Sequence, residues 1–398
     1  MIGKISTGLR LMRRQGGSAV AHRTARYLYR RYGSLQDFPV MPSDVASGRL
    51  PWSATTPTRR GAPLDVRWIT CPPGVGSGGH TTMFRMVRAL ERAGHHCTIY
   101  LYDRYDGVLT DQRDVIRKAW PDVAAEVATL PGRLPDADAL VATSWDTAHA
   151  LHTRYGNGGT CFYFVQDFEP WFYGRGAEYS LAEATYSFGF LGITAGAWLA
   201  EVLHAEYGMS CDWFPFGSDV DVYRLDNPLP RQRVVFYAKP GTARRGHALG
   251  VMALERLVKL RPDADVHVFG ERLGDLPFPA TSHGVLTPTA LNDLFNTCAV
   301  GLSLSFTNVS LLPWELLASG VVPVVNDARH NRRVLDRPGV RWAVPQPEAL
   351  AQALLSSLDE PLQTPGQLST AVAGATWDAS AEHFVHCLES RLYDQPHR

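Results

Sequence analysis

The sequence has no close cysteine pair. Its six cysteines, Cys71, Cys97, Cys161, Cys211, Cys298 and Cys387, are widely spaced. They leave no C-x-x-C chemistry and read as buried reduced thiols. Long apolar runs are missing too: none reaches the ~20 residues that span a bilayer, and the N-terminus lacks the uninterrupted apolar stretch of a secretory signal. A cytoplasmic location is the expectation. Net charge is absent as well. The 39 basic and 39 acidic residues cancel, which removes the global field that would recruit nucleic acid.

What is present is a globular composition, 45% hydrophobic and 20% charged, over 398 residues. That length exceeds what one core ordinarily serves, so two domains are expected. One stretch breaks the neutral balance. Residues 1–36 hold Lys4, Arg10, Arg13, Arg14, Arg23, Arg26, Arg30 and Arg31 and no Asp or Glu. Leu9, Met12, Val20, Tyr27 and Leu28 interleave with these cations. The arm therefore reads either as an amphipathic helix resting peripherally on the anionic inner face of the cell membrane or as a solvated tail.

Residues 37–63 are rich in Pro, Ser and Thr and read as a linker or surface wrap, closing a first segment of residues 1–63. From Leu64 short apolar runs alternate with helical patterns: LDVRWIT, TTMFRMVRALERAG, HHCTIYLYD, ALVATS, CFYFVQD and FGFLGITAG. Such alternation predicts a parallel sheet. The pattern lapses near Phe214–Arg233, where Pro215, Pro228 and Pro230 break any regular element. A second series follows from RVVFYAK through HALGVMALERLVKL to PEALAQALLSSLDE. The reading is an α/β chain of two facing Rossmann-like domains, each a doubly wound parallel sheet, over residues 64–222 and 223–375. Residues 376–398 form a C-terminal amphipathic helix that caps the second domain or crosses back to the first. Facing domains place their strand-end loops on a shared cleft.

After the first strand, CPPGVGSGGHTTMF sets Gly74, Gly76 and Gly79 in G-x-G-x-x-G spacing, with Asp103 closing the next strand. That spacing matches a dinucleotide fingerprint. Pro72 and Pro73 lengthen the loop beyond the usual tight turn, so a two-domain NAD-dependent oxidoreductase, a structural turn and a loop facing a sugar-transfer cleft all stay open. In the last case Gly78 and Gly79 open a helix whose free N–H groups meet substrate oxygens.

In the second half, RVVFYAKPGTARRGHAL puts Lys239 at a strand's carboxyl end and Arg244 and Arg245 before the next helix. Two cations can converge there on one diphosphate. In SLSFTNVSLLPWELLASGVVPVV a polar turn, Thr307, Asn308, Val309, Ser310 and Leu311, leads into a helix whose first amides suit phosphate oxygens. Glu315 follows. A carboxylate repels phosphate, so its useful partner is a pair of ribose hydroxyls, and otherwise it is a helix-surface residue.

These motifs in combination resemble the retaining glycosyltransferases of family 4, with the two-Rossmann GT-B fold, over about residues 64–390. The hinge reads PFGSDVDVY, the basic pair is Lys239 with Arg245, and TNVSLLPWELLASGVVPVV matches the terminal glutamate segment. Within that family YFVQDFEPWFYGRGAEY resembles the bacterial rhamnosyltransferases of surface-glycan assembly, the WsaF group. The resemblance implies a dTDP-β-L-rhamnose donor, a saccharide or lipid-linked glycan acceptor, and retention of configuration. It implies no cofactor, the nucleotide sugar being a co-substrate. It assigns ribose to Glu315, the diphosphate to Lys239 and Arg245, phosphate oxygens to the amides around Ser310 and Leu311, and the nucleobase to Gly284, Val285 and Leu286.

Two departures bear on the sugar. Thr307 stands where the family has its first glutamate, and Gln166-Asp167 where it has His-Asp. Loss of that His fits a 6-deoxy sugar, and UDP- or GDP-sugars stand as the alternative donors. No metal is expected: the Asp-x-Asp spacings at Asp136/Asp138, Asp219/Asp221 and Asp263/Asp265 lie in loops or the hinge. Asp167, followed by Glu169 and the aromatics Trp171, Phe172 and Tyr173, is the candidate to orient the acceptor hydroxyl or serve as base. An aromatic loop whose acids cap a helix is the alternative.

Overall fold

The computed structural model describes residues 38–52, 58–104, 110–271 and 273–393. The basic arm lies outside them. Two parallel sheets organise the chain. The first comprises β1 (Asp65–Thr70), β2 (His96–Leu101), β3 (Glu126–Thr129), β4 (Ala139–Ala142), β5 (Thr160–Val165), β6 (Leu191–Ala195) and β7 (Cys211–Phe214). Their order is β3-β2-β1-β4-β5-β6-β7. The second comprises β8 (Arg233–Ala238), β9 (Val266–Gly270), β10 (Thr281–Ser282), β11 (Cys298–Ser303), β12 (Val322–Asn326) and β13 (Arg341–Ala343), in the order β10-β9-β8-β11-β12-β13. Strand order reverses at β1/β4 and at β8/β11, and these switch points open crevices at the strands' carboxyl ends.

The residues explain the layering. β5, TCFYFV, is buried along its whole length, as a central parallel strand with helices on both faces must be. Helices α1 (Gly78–Arg92), α2 (Thr110–Ala119), α3 (Trp145–Arg154), α4 (Ala177–Ala184) and α5 (Ala197–Tyr207) belong to the first domain. Helices α6 (His247–Leu260), α7 (Pro288–Phe295), α8 (Leu312–Ala318), α9 (Arg329–Arg332), α10 (Pro347–Asp359) and α11 (Pro365–Thr370) belong to the second. In α1 the stripe Met83, Phe84, Met86, Val87 and Leu90 turns inward at helical spacing.

The last helix, α12 (Trp377–Leu392), returns to the first domain. Its Phe384 ring sits 5.8 Å from Trp68, 5.6 Å from Phe164 and 6.0 Å from Phe214. The two crossings between domains run side by side, where Ser218 N–H donates to Ala375 O at 2.7 Å. Gly217 is required there: a Cβ would lie 2.6 Å from the Thr376 carbonyl carbon and the Trp377 nitrogen. Ahead of β1, residues 38–52 form a strap over the first domain. Val40, Ala46 and Leu50 are buried, and Asp44 pairs with Arg154 at 2.8 Å. Among the described residues no helix is long and apolar enough to cross a membrane.

Candidate functional site

The carboxyl end of β8 delivers the cations. Lys239 is half-buried, and among the described residues its ammonium has no partner. A short 3-10 turn, Ala243–Arg245, follows and ends at Gly246 with φ +60°. A Cβ on Gly246 would lie 2.7 Å from the Phe306 ring, so this turn to α6 needs glycine twice over. The turn is tied to the exit of β11, since Phe306 N–H donates to Arg244 O at 3.1 Å. Arg245 Nη1 donates to Ser305 Oγ at 3.1 Å. Burial disfavours its charge, and Asp167 opposes that effect. Arg244 reaches across the cleft. Its Nε lies 3.4 Å from Asp167 Oδ2, and its guanidinium covers the Phe172 ring at 4.5 Å.

Behind β11, Ser305 is a fixed polar knot. Its carbonyl accepts from Asn326 Nδ2, Asn331 Nδ2 and the His330 ring, and its amide donates to Asn326 Oδ1. This knot corrects part of the expected phosphate cradle. Ser310 N–H donates to Ser305 Oγ at 3.1 Å, and Val309 N–H to Asn308 Oδ1 at 2.9 Å, so neither amide is available. The helix starts at Leu312, leaving the amides of Leu311 and Leu312 without intrahelical acceptors. Asn308, expected among the donor's contacts, is instead an interdomain clasp. Its Nδ2 donates to Gln166 O at 2.9 Å and Ala195 O at 3.2 Å, both in the first domain.

Glu315 lies on α8 near Arg85 of α1 and Asp219 of the hinge. Burial pushes its carboxyl up to about 7, against the pull of Arg85. Arg85 itself binds Asp219 and lies over Trp377 at 4.6 Å. Gly284, at φ +63°, accepts from Gly270 N–H through its carbonyl at 2.8 Å, and Val285 beyond it is 85% exposed. Val285 thus projects from the loop after β10, remote in the chain from the β11 turn, while Leu286 packs partly against the core.

On the opposite wall, Gly78 and Gly79 begin α1 with room above them: a Cβ on Gly78 meets nothing within 4 Å, and one on Gly79 meets only the Gln166 amide at 3.7 Å. Gln166 Nε2 donates to Gly79 O at 3.0 Å, tying the glycine loop to the turn after β5. Asp167 comes next. Burial raises its carboxyl, while Arg244, Arg245 and Thr307 pull it down. Thr307 lies close enough to Asp167 to influence it, yet neither Asp167 Oδ1 nor Thr307 Oγ1 completes a hydrogen bond, and both are buried. Arg244 Nε has only its 3.4 Å ion-pair contact with Asp167 Oδ2. Buried polar atoms without partners cost about 1–3 kcal/mol each, so the Asp167 and Thr307 pair, from two loops, marks a place that ligand hydroxyls can complete.

Glu169 does not join this cluster, which corrects its assignment as a catalytic acid. It is 6% exposed, and its Oε2 accepts from Trp145 N–H at 2.6 Å and from Tyr163 O–H at 2.9 Å inside the first domain. Burial pushes it up to about 8. The sequence reading missed Arg85. Its only signal was a cation within the apolar run TTMFRMV. The Asp-x-Asp pairs do not converge: Asp138 accepts from Asp65 N–H, Asp219 binds Arg85, and Asp265 binds Arg233 and His267.

Family comparison fits this geometry. A model of the WsaF N-terminal domain matches residues 102–194, and one of the WsaF C-terminal domain matches residues 232–355, together more than half of the chain. The chain belongs to the WsaF family, and it has the GT-B fold. A curated relative of this WsaF-family chain is the O-antigen biosynthesis protein RfbC of Myxococcus xanthus, 31% identical over 316 residues. That match takes in 75% of this chain but 24% of the relative, so the chain spans about a quarter of its length. Two solved structures share the fold at 12% identity. A glycosyltransferase from Rickettsia africae superposes with a TM-score of 0.61, covering 84% of this chain and 100% of that one. HepE from Anabaena, in complex with UDP and glucose, gives 0.62 over 82% of this chain and 100% of that one.

Proposed function

We propose that the chain transfers L-rhamnose from dTDP-β-L-rhamnose to a saccharide or lipid-linked glycan, with retention and without a metal. The observation that carries this is the charge arrangement. Lys239 without a partner and Arg245 stand at the end of β8, opposite Asp167, whose Oδ1 is buried and unbonded. As the donor C1–O bond breaks, negative charge grows on the diphosphate, and fixed cations in a dry cleft stabilise that charge. The Leu311 and Leu312 amides add to the same field. The acceptor hydroxyl attacks C1, and its proton passes to Asp167 or to the departing phosphate oxygen.

Gln166 in place of the family His, with Thr307 in place of the first glutamate, supports a 6-deoxy sugar. The Myxococcus relative's description supports a role in surface-polysaccharide assembly. A UDP-sugar donor is the second reading, favoured by the UDP bound in HepE. We place the enzyme in the cytoplasm, with the basic arm on the anionic membrane face, where lipid-linked acceptors lie. Vesicle sedimentation of intact and arm-deleted protein checks that contact, which equal behaviour would remove.

Calorimetric titration of metal-free protein with dTDP, UDP, GDP and NAD tests the donor. Tight dTDP binding, weakened in both Lys239→Ala and Glu315→Ala, is the expected result, and turnover of Lys239→Ala should fall by about 10²–10³. Preference for UDP or GDP overturns the sugar and keeps the donor site.

A further inference from the structure

One aromatic face in the cleft region has no place in donor binding. Trp171 is 44% exposed, although the rings beneath it are buried. It lies 4.8 Å from Phe168 and 5.6 Å from Trp198 of the first domain, and 6.0 Å from His330 of the second. The indole therefore sits at the seam between domains, inclined to these rings by 58°, 35° and 65°, with nearly half of its surface open. The turn that carries it is bolted down. Besides the Glu169 carboxyl on Trp145 N–H and Tyr163 O–H, Glu169 N–H donates to Tyr186 Oη at 3.2 Å, and Trp145 Nε1 donates to Tyr173 Oη at 3.1 Å. At one end of the turn stands Asp167. At the other, Phe172 lies under Arg244.

An exposed indole on a rigid turn forgoes the burial that ordinarily rewards tryptophan. The open face suits the C–H face of a pyranose, which presents apolar surface with hydroxyls at its rim. The proposed nucleotide contacts, Lys239 and the Gly284 loop, belong to the second domain, whereas Trp171 is carried by the first. We propose that Trp171 is the stacking platform for the acceptor's sugar ring, presenting a hydroxyl toward Asp167. This rests on the transferase reading above and adds the acceptor subsite that it lacks. Glu169 is then a positioning residue, fixing the turn without touching substrate.

The test uses the full chain, Trp171→Ala and Trp171→Phe. Octyl α-L-rhamnoside and octyl β-D-glucoside are probes in saturation-transfer NMR, and dTDP affinity is measured by calorimetry on the same samples. The expected result is saturation of ring C–H protons in at least one glycoside, binding about tenfold weaker in Trp171→Ala and partly kept in Trp171→Phe, with dTDP affinity unchanged. Glycoside binding that is equal in Trp171→Ala, or absent from the unsubstituted chain, overturns the platform. So does a parallel loss of dTDP affinity in Trp171→Ala, which would place Trp171 in the donor site or the fold. Failure of dTDP to bind the unsubstituted chain sinks the donor reading, and the glycoside measurements still decide the platform.

Discussion

Glu169 and Asp167 lie two residues apart and face opposite ways, one into the first domain and one across the cleft. The sequence set both among the acids of an aromatic loop. Only tertiary contacts, Tyr163 and Trp145 on one side and Arg244 on the other, separate their roles. Burial has a thermodynamic consequence for Glu169. Its folded pKa of about 8 lies above the ordinary 4.5, so between those values the folded chain holds a proton that the unfolded chain has released. Stability therefore declines as pH rises from about 4.5 to about 8. Glu315, pushed to about 7, contributes with the same sign and finishes earlier. In Glu169→Gln, urea unfolding between pH 5 and 8 should lose a component that approaches about 1.4 kcal/mol per pH unit below the folded pKa. Glu169→Ala should be less stable than Glu169→Gln by about 1–3 kcal/mol, because the Trp145 amide and Tyr163 hydroxyl are left unpaired. An unchanged pH slope in Glu169→Gln would mean that Glu169 is ionised in the folded chain.

At the scale of elements, the central strands were legible because a strand covered on both faces must be an apolar run, as TCFYFV is. Edge strands were not. β3, EVAT, and β7, CDWF, have exposed positions and no such run, so only pairing to β2 and β6 reveals them. The phosphate cradle was half legible for a similar reason. Glycine spacing and cation order can be read from a sequence, whereas the engagement of Ser310 N–H by Ser305 Oγ depends on how a loop folds back on itself. Two glycines give an element-level prediction. Gly217→Ala forces a Cβ into the Thr376–Trp377 backbone, so the two crossing segments must part, at a cost of about 1–3 kcal/mol. Gly78→Ala adds a Cβ in open space at the start of α1 and should leave the thermal midpoint unchanged or slightly raised. Differential scanning calorimetry on both checks this, and equal midpoints would show that the hinge yields freely.

Across the whole molecule, ties of different kinds join the two domains. Arg333–Glu201 lies at the rim, each side chain well exposed, so salt should screen it. Arg244–Asp167 and Asn308 are interior to the seam, and Asn308 is 1% exposed while bonding two first-domain carbonyls. On the proposed transferase reading the cleft admits a donor and an acceptor, so this seam must open, and polar interdomain contacts such as these permit that motion. Asn308 then sets how far the closed form is favoured. In Asn308→Ala the Gln166 and Ala195 carbonyls lose their shared donor, and small-angle scattering should show a larger radius of gyration than in the unsubstituted chain. Raised salt should widen the unsubstituted chain far less than this single substitution does. If Lys239 and Arg245 hold a diphosphate as proposed, saturating dTDP should narrow the difference, because Arg244 beside them then draws Asp167's side of the cleft inward. If Asn308→Ala scatters like the unsubstituted chain, closure is held by the return of α12 across Trp68, Phe164 and Phe214, and the clasp is redundant.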